Sequence, residues 1–248
     1  MKRHLIIPDT QIRPESNTAH IHWAGEAILE YRPDVVVCLG DWWDFPSLNS
    51  HAEKGSAELE GARYQADVDA GNEAFRLLNS YFKKSRSKTW KPRKVFLEGN
   101  HENRANRIAK NDPKWQGIIG SQNCQTLDWE RHKFLKIVEI DGIAYCHYFP
   151  NPFSGKPIGG TIVSRLNNIG KSFVQGHQQG FLYASKQYPD HVKHGLVAGR
   201  FYLESEGYRP DDVQTSEWNG IVVLNGVKKG DYDLMPLRMD YLRRKYGA

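Results

Sequence analysis

"DVVVCLGD", residues 34–41, is an unbroken apolar run closed by Gly40 and Asp41. A strand with one wet face alternates polar and apolar residues. This one does not, so both of its faces are expected to be covered. Upstream, "TAHIHWAGEAILEYRP" (18–33) carries Ile21, Ala24, Ala27, Ile28 and Tyr31 at helical spacing, with Pro33 as the stop. Before it stands "HLIIPD" (4–9), a short β-branched run. Strand, helix and strand with short connections make a βαβ unit, and hence parallel strands in one sheet.

Downstream the spacing predicts a long helix from Glu58 to Phe82, weakened by Gly61 and Gly71. A basic linker (83–94) then feeds the strand "VFLEGN" (95–100), and a helix is expected over Asn100–Lys110. Residues 111–134 show no period. "FLKIVEIDGIAYCHY" (134–148) reads as two strands around Asp141-Gly142. "NPFSGKPIGG" (151–160) is expected to be a mobile loop, "TIVSRLNNIG" a helix, and "SFVQGH" (172–177) a strand. Residues 220–239 alternate around Asn225-Gly226 and Lys229-Gly230 as a second hairpin region, and the basic tail after it is expected to fray.

The totals fit a single α/β domain: 248 residues, with 39% hydrophobic and 25% charged. A net charge of +5 and pI near 9.0 favour a polyanionic partner only weakly. Three cysteines with no CxxC pair suggest neither a disulfide framework nor a zinc ribbon; Cys38 and Cys146 read as small buried hydrophobes. No signal-peptide or membrane-spanning run is seen, so a cytoplasmic protein without a membrane partner is expected.

The apolar strands end in a recurring way. Asp9 with Gln11, Asp41 with Asp44, Asn100 with His101, His147, and His177 with Gln179 each follow one of them. One such residue would be an ordinary cap or surface histidine. In a parallel-rich sheet, however, all five sets converge on one edge, where ligands collect. Carboxylate, amide and imidazole donors together suit divalent first-row metals.

Here "GDWWD" (40–44) resembles the GDxxD motif, and "GNHE" (99–102) the GNH(D/E) motif, of calcineurin-like metallophosphoesterases. "PDTQ" (8–11) stands at that family's Asp-x-His, "CHYF" (146–149) at its isolated metal histidine, and "GHQQ" (176–179) at its Gly-His-x-His. The motifs keep the family's order and look most like its phage and prophage members. The resemblance implies a four-layer αββα sandwich: an α/β fold of two mixed sheets flanked by helices. One domain over 1–248 is expected, with 111–133 as a small cap over the site and both hairpins in the second sheet. It implies two metal ions bridged by Asp41. Position one would take Asp9, Gln11, Asp41 and Gln179; position two, Asp41, Asn100, His147 and His177. In the family a hydroxide between the metals attacks phosphorus. His101 maps to the catalytic histidine, with Asp44 orienting it. Gly99 is expected to let the backbone turn, and Glu102 to serve the helix terminus or support the ligands rather than catalyse.

Glutamines at 11 and 179 replace family histidines, and both serve position one. An oxygen-rich, labile first site follows, favouring manganese or magnesium over zinc and disfavouring iron, with manganese the leading ion. The implied activity is phosphodiester hydrolysis, with nucleic acid as the leading substrate and a nuclease-like role. The alternatives are a small-nucleotide phosphodiesterase or phosphatase, or a catalytically weakened scaffold of the same fold. Arg104 and Lys156 are the candidate phosphate contacts. The basic linker (Lys83, Lys84, Arg86, Lys88, Lys91, Arg93, Lys94) and Trp42, Trp43, Trp115 and Trp129 are candidate nucleic-acid contacts, against readings as a solvated linker and core residues.

Overall fold

Val35–Cys38 forms a strand (β2) with all four residues buried. The computed structural model describes residues 1–49, 60–87, 89–203 and 217–247. β2 pairs in parallel with β1 (Lys2–Ile7) on one side and β3 (Arg93–Leu97) on the other. The helix α1 (Ala19–Tyr31) makes the crossover from β1 to β2, as the pattern of Ile21, Ala24, Ala27 and Ile28 requires. α2 (Tyr64–Lys84) makes the next one, from β2 to β3. β3 leads into α3 (Asn100–Asn111), and β4 (Glu130–His132) pairs in parallel at the sheet's edge.

The second sheet holds β5 (Val138–Ile140), β6 (Ile143–Cys146), β7 (Ser172–Gln175), β8 (Phe181–Gln187) and β9 (Val192–Ala198), in the order β5-β6-β7-β9-β8. The helix α4 (Ile162–Ile169), capped by Thr161, carries the chain from β6 to β7. β10 (Gly220–Lys228), β11 (Asp231–Arg238) and α5 (Met239–Tyr246) close the described chain. The first sheet then runs β11-β10-β1-β2-β3-β4. Both sheets are mixed, and five α-helices are present among the described residues.

Strand alternation explains the layers. Leu5, Ile7, Val36, Cys38 and Phe96 point to a cluster with α1, α2 and α5, whereas Ile6, Val35, Val37, Leu39 and Leu97 point to Ile143, Tyr145, Val174 and Leu196 of the second sheet. On that sheet's far face Ala144, Cys146 and Phe173 pack against Leu166 of α4. The layers therefore run helix, sheet, sheet, helix. Strands of the first sheet are covered on both faces, which is why "DVVVCLGD" carries no polar alternation. All three cysteines are buried and free.

Several expectations need correction. The second hairpin belongs to the first sheet, because β10 pairs antiparallel with β1 (His4 with Leu224, Ile6 with Val222). Its turn is Lys229-Gly230, while Asn225 marks an irregularity within the β10–β11 pairing. The basic tail is not frayed: α5 buries Leu242 against the helical layer, and Lys245 and Tyr246 both reach Glu30. α2 begins at Tyr64, after a turn at residues 60–61; the expected start at Glu58 lies outside the described residues, as does Lys88. The 134–148 hairpin begins at Val138, with its turn at Asp141-Gly142. Residues 111–133 contain two 3-10 turns and β4, tied down by Asn72, Tyr64 and Glu98. Residues 151–158 form a hydrogen-bonded loop, with Asn151 and Lys156 joined through their backbones and Ile158 returning to Phe149.

Candidate metal centre

Asp9, Asp41, Asn100, His147 and His177 lie just past the C-terminal ends of β1, β2, β3, β6 and β7. Those ends meet at the mouth between the sheets, and ligand atoms of Asp41, His147 and His177 all lie within 4.8 Å of one another. The amide oxygen of Asn100 sits between the two imidazoles, 2.9 Å from His147 Nε2 and 2.8 Å from His177 Nδ1. Asp41 Oδ2 is 3.3 Å from His147 Nε2.

Backbone strain marks the same place. Gln11, Asp41 and His177 all have positive φ, at 45°, 48° and 65°. Non-glycine residues rarely adopt this region, and it persists where the surroundings over-determine it. Here the backbone N–H groups of Thr10 and Gln11 both donate to Asp41 O, and Asp9 Oδ1 accepts from His177 N at 3.0 Å. Gly99 has an ordinary φ of −92°, so it is not needed for a turn. It is needed for space: a Cβ there would lie 2.1 Å from Asp41 Oδ1.

Glu102 is the anchor of this turn. Its carboxylate is fully buried and accepts from the backbone N–H groups of Gly99, Asp41, Trp42 and Trp43 at 2.7–3.2 Å. Charge-assisted bonds from one carboxylate thus hold the "GDWW" and "GNHE" segments together. Trp42 and Trp43 are fully buried, donating to Gly71 O and Val68 O and packing on Phe75. They are core residues, not stacking platforms, and Trp129 joins the same core.

Electrostatics favour a cation. The Leu39 carbonyl can only accept, so His147 donates to it through Nδ1 (2.8 Å) and turns Nε2 toward Asn100 and Asp41. Nε2 is then the ring atom that would meet a metal ion, in exchange for its proton. Asp9 Oδ2 is buried without a hydrogen-bond partner, and burial raises its carboxyl well above the usual range. Burial also opposes ionisation of Asp41, but the imidazoles of His147 and His101 outweigh it and hold that carboxyl low. His177 is pushed down to about 4 by burial and by His147, which leaves it a neutral donor. Burial would lower His147 as well, yet Asp41 lifts it to about 9. The Asp41 carboxylate, two imidazoles and an amide oxygen gathered this closely suit a metal ion, and the orphaned Asp9 Oδ2 is a further buried oxygen in want of a partner.

Position one is less drawn together. Asp9 stands outside the close Asp41–His147–His177 group. Gln179 is buried, and its amide oxygen accepts from the Tyr202 hydroxyl at 2.9 Å. Gln11 is buried beside Asp41 through its backbone.

His101 occupies the outer side of the cluster. Its Nδ1 donates to Asp44 O (2.7 Å), with Asp44 Oδ1 at 3.1 Å, and its Nε2 lies 3.9 Å from Asp41 Oδ2. Burial would lower its pKa, but Asp41 and the Asp44 hydrogen bond raise it to about 9. Arg104, one helical turn on, brings Nη2 to 3.3 Å from His101 Nε2 and Nη1 to 3.3 Å from Phe45 O. Lys156 is exposed, in a loop that approaches the centre where the Tyr148 hydroxyl meets Gly155 O. Tyr148 escaped the sequence reading: its ring centroid is 4.7 Å from that of His177. Its position directly after His147 was the available signal. The basic linker is far from all of this. It enters β3 at its N-terminal end, whereas Asn100 follows the C-terminal end, and Arg93 and Lys94 pair with Glu130 and Asp128.

No protein-family model matches the chain, and no curated protein matches it. One solved structure matches over 95% of this chain and 98% of its own at 10% identity, with a TM-score of 0.39.

Proposed function

We propose that the protein is a metal-dependent phosphodiester hydrolase of the calcineurin-like metallophosphoesterase fold. One observation carries the reading: a cluster of buried Asp41 and His147 with half-buried His177 and Asn100 stands beside an imidazole held by a carboxylate and flanked by a guanidinium. Asp41, Asn100, His147 and His177 would hold one divalent ion, and Asp9 with Asp41, Gln11 and Gln179 a second, weaker one. Such ions, when bound, supply Lewis-acid charge and lower the pKa of water.

The remaining work falls to the chain's own groups. Asp44 fixes the His101 ring with Nδ1–H committed, so Nε2 faces the centre. In the metal-free protein Asp41 and the Asp44 hydrogen bond favour the protonated ring. It would give that proton from Nε2 to the leaving oxygen as the P–O bond breaks. Arg104 would pair with a non-bridging phosphoryl oxygen, its fork matching that geometry. Lys156 is the outer phosphate contact in this reading. With Trp42, Trp43 and Trp129 in the core and the linker at the other end, the centre itself gives no sign of a preference for polymer; Trp115 is part-exposed, with Lys114 over its ring.

The test is hydrolysis of an aryl phosphodiester beside its monoester, on metal-stripped protein refilled with manganese, magnesium or zinc. Diester turnover led by manganese and absent after stripping is expected. His101→Ala should lose turnover by about 10²–10⁴-fold with metal content unchanged. Asp41→Ala should lose the metal; retention of full metal content would sink the bridging assignment.

A further inference from the structure

We propose that a groove at the opposite end of the sandwich binds the phosphate backbone of single-stranded nucleic acid, independently of the metal centre. The groove encloses about 830 Å³ between the two sheets. Its walls are the starts of β1, β7 and β9 and the turns Asp141-Gly142 and Lys229-Gly230. These are the N-terminal ends of strands whose C-terminal ends carry Asp9 and His177, so the two sites lie at opposite poles.

Charge selects the ligand. Five lysines line the groove: Lys2, Lys171, Lys193, Lys228 and Lys229. The two carboxylates there are already paired, Asp141 with Lys2 at 2.6 Å and Glu139 with Lys171 at 2.7 Å. Asp141 is further held by the buried His4 at 3.0 Å. Lys228 and Lys229 make no ion pair among the described residues, and Lys193 feels the Asp190 carboxylate without a close pair. Ammonium groups spread over β1, β9, β10 and the loops between strands, with no arginine fork among them, suit a chain of phosphates rather than one fixed headgroup.

An aromatic pair adjoins them. The rings of Tyr188 and His191 stack at 4.7 Å and 1° between planes, and Lys193 lies 4.7 Å over the tyrosine. His191 lines the groove, with its side chain 42% exposed and its Nδ1 on Asp190 at 2.6 Å. An unpaired base would stack on this part-exposed ring, and a cationic groove beside a stacking ring is how single strands are held without sequence preference. A duplex offers no such base.

The experiment is fluorescence anisotropy of a labelled oligo-dT in EDTA across a salt series, with no hydrolysis in the readout. Failure here therefore leaves the phosphodiesterase reading standing, and failure there leaves this one. The parent should bind, more weakly as salt rises. The combined variant Lys193→Gln, Lys228→Gln, Lys229→Gln should bind about tenfold or more weakly, with the log–log salt slope flattened by about 2. An unchanged melting curve would assign that loss to the surface. His191→Ala should weaken the oligo-dT about fivefold and leave a duplex unaffected. Parent-like affinity and slope in the lysine variant, or no binding by the parent, would overturn the proposal. A duplex bound as tightly, with His191→Ala silent, would overturn recognition of single strands.

Discussion

Glu102 accepts from four backbone N–H groups, and its removal would strand them all inside the protein. Each buried donor left unpaired costs about 1–3 kcal/mol. Glu102→Ala should therefore destabilise by at least about 3 kcal/mol, read as a lower urea midpoint, and should weaken metal binding in the same titration. Glu102→Gln points amide donors at backbone donors and should follow the same direction. A variant that kept both properties would show that the turn holds itself. The positive φ of Asp41 argues otherwise, since a strained residue needs its surroundings to hold it there.

At the scale of elements, α2 shows local propensity losing to packing. Glycine inside a helix normally costs about 1 kcal/mol relative to alanine. At Gly71 the sign reverses, because a Cβ there would lie 1.9 Å from Trp43 Cδ1. Gly71→Ala should destabilise by about 2 kcal/mol, and a stabilised variant in urea titration would refute the argument. α5 has the opposite history: a short, charged sequence made helical by its docking site. Leu242 is fully buried there, so Leu242→Ala should cost about 2–4 kcal/mol and release the last turn to rapid hydrogen exchange.

The whole molecule carries a pH dependence through His20. Its ring is fully buried beside Phe201; Nδ1 donates to Asn17 O, and Nε2 has no partner. Burial pushes its pKa from 6.5 down to about 4. The unfolded chain thus binds a proton between pH 6.5 and 4 that the folded chain refuses, so stability falls as pH drops through that window. The loss from this group is about 3 kcal/mol, and it is absent above pH 6.5. His20→Gln should flatten the melting temperature across pH 4–6.5. His177, also near 4 in metal-free protein, should keep part of the slope. No described helix is long and apolar enough to cross a membrane.

The alternation-free apolar runs around residues 4–9, 34–41 and 172–177 are enough to read a buried, parallel-rich sheet from the chain alone. Parallel order likewise puts Asp9, Asp41 and Asn100 together at the C-terminal edge of one sheet, and His147 and His177 at that of the other, whereas only the packing of the two sheets brings those edges together. The runs and their ends are local properties, and periodicity records them. Which sheet receives the β10–β11 hairpin was not legible, since that depends on a pairing with β1 more than two hundred residues away. The turn at Asn225-Gly226 failed for the same reason: its intrinsic preference was overridden by the extended partner strand. Trp42 and Trp43 read equally well as stacking platforms or core until α2 was seen to bury them. Glu102's four bonds, the partner of Gln179 and the lysine groove likewise come from distant segments. Tertiary structure alone decides them, because hydrogen-bond geometry and shared charge arise only where the chain meets itself.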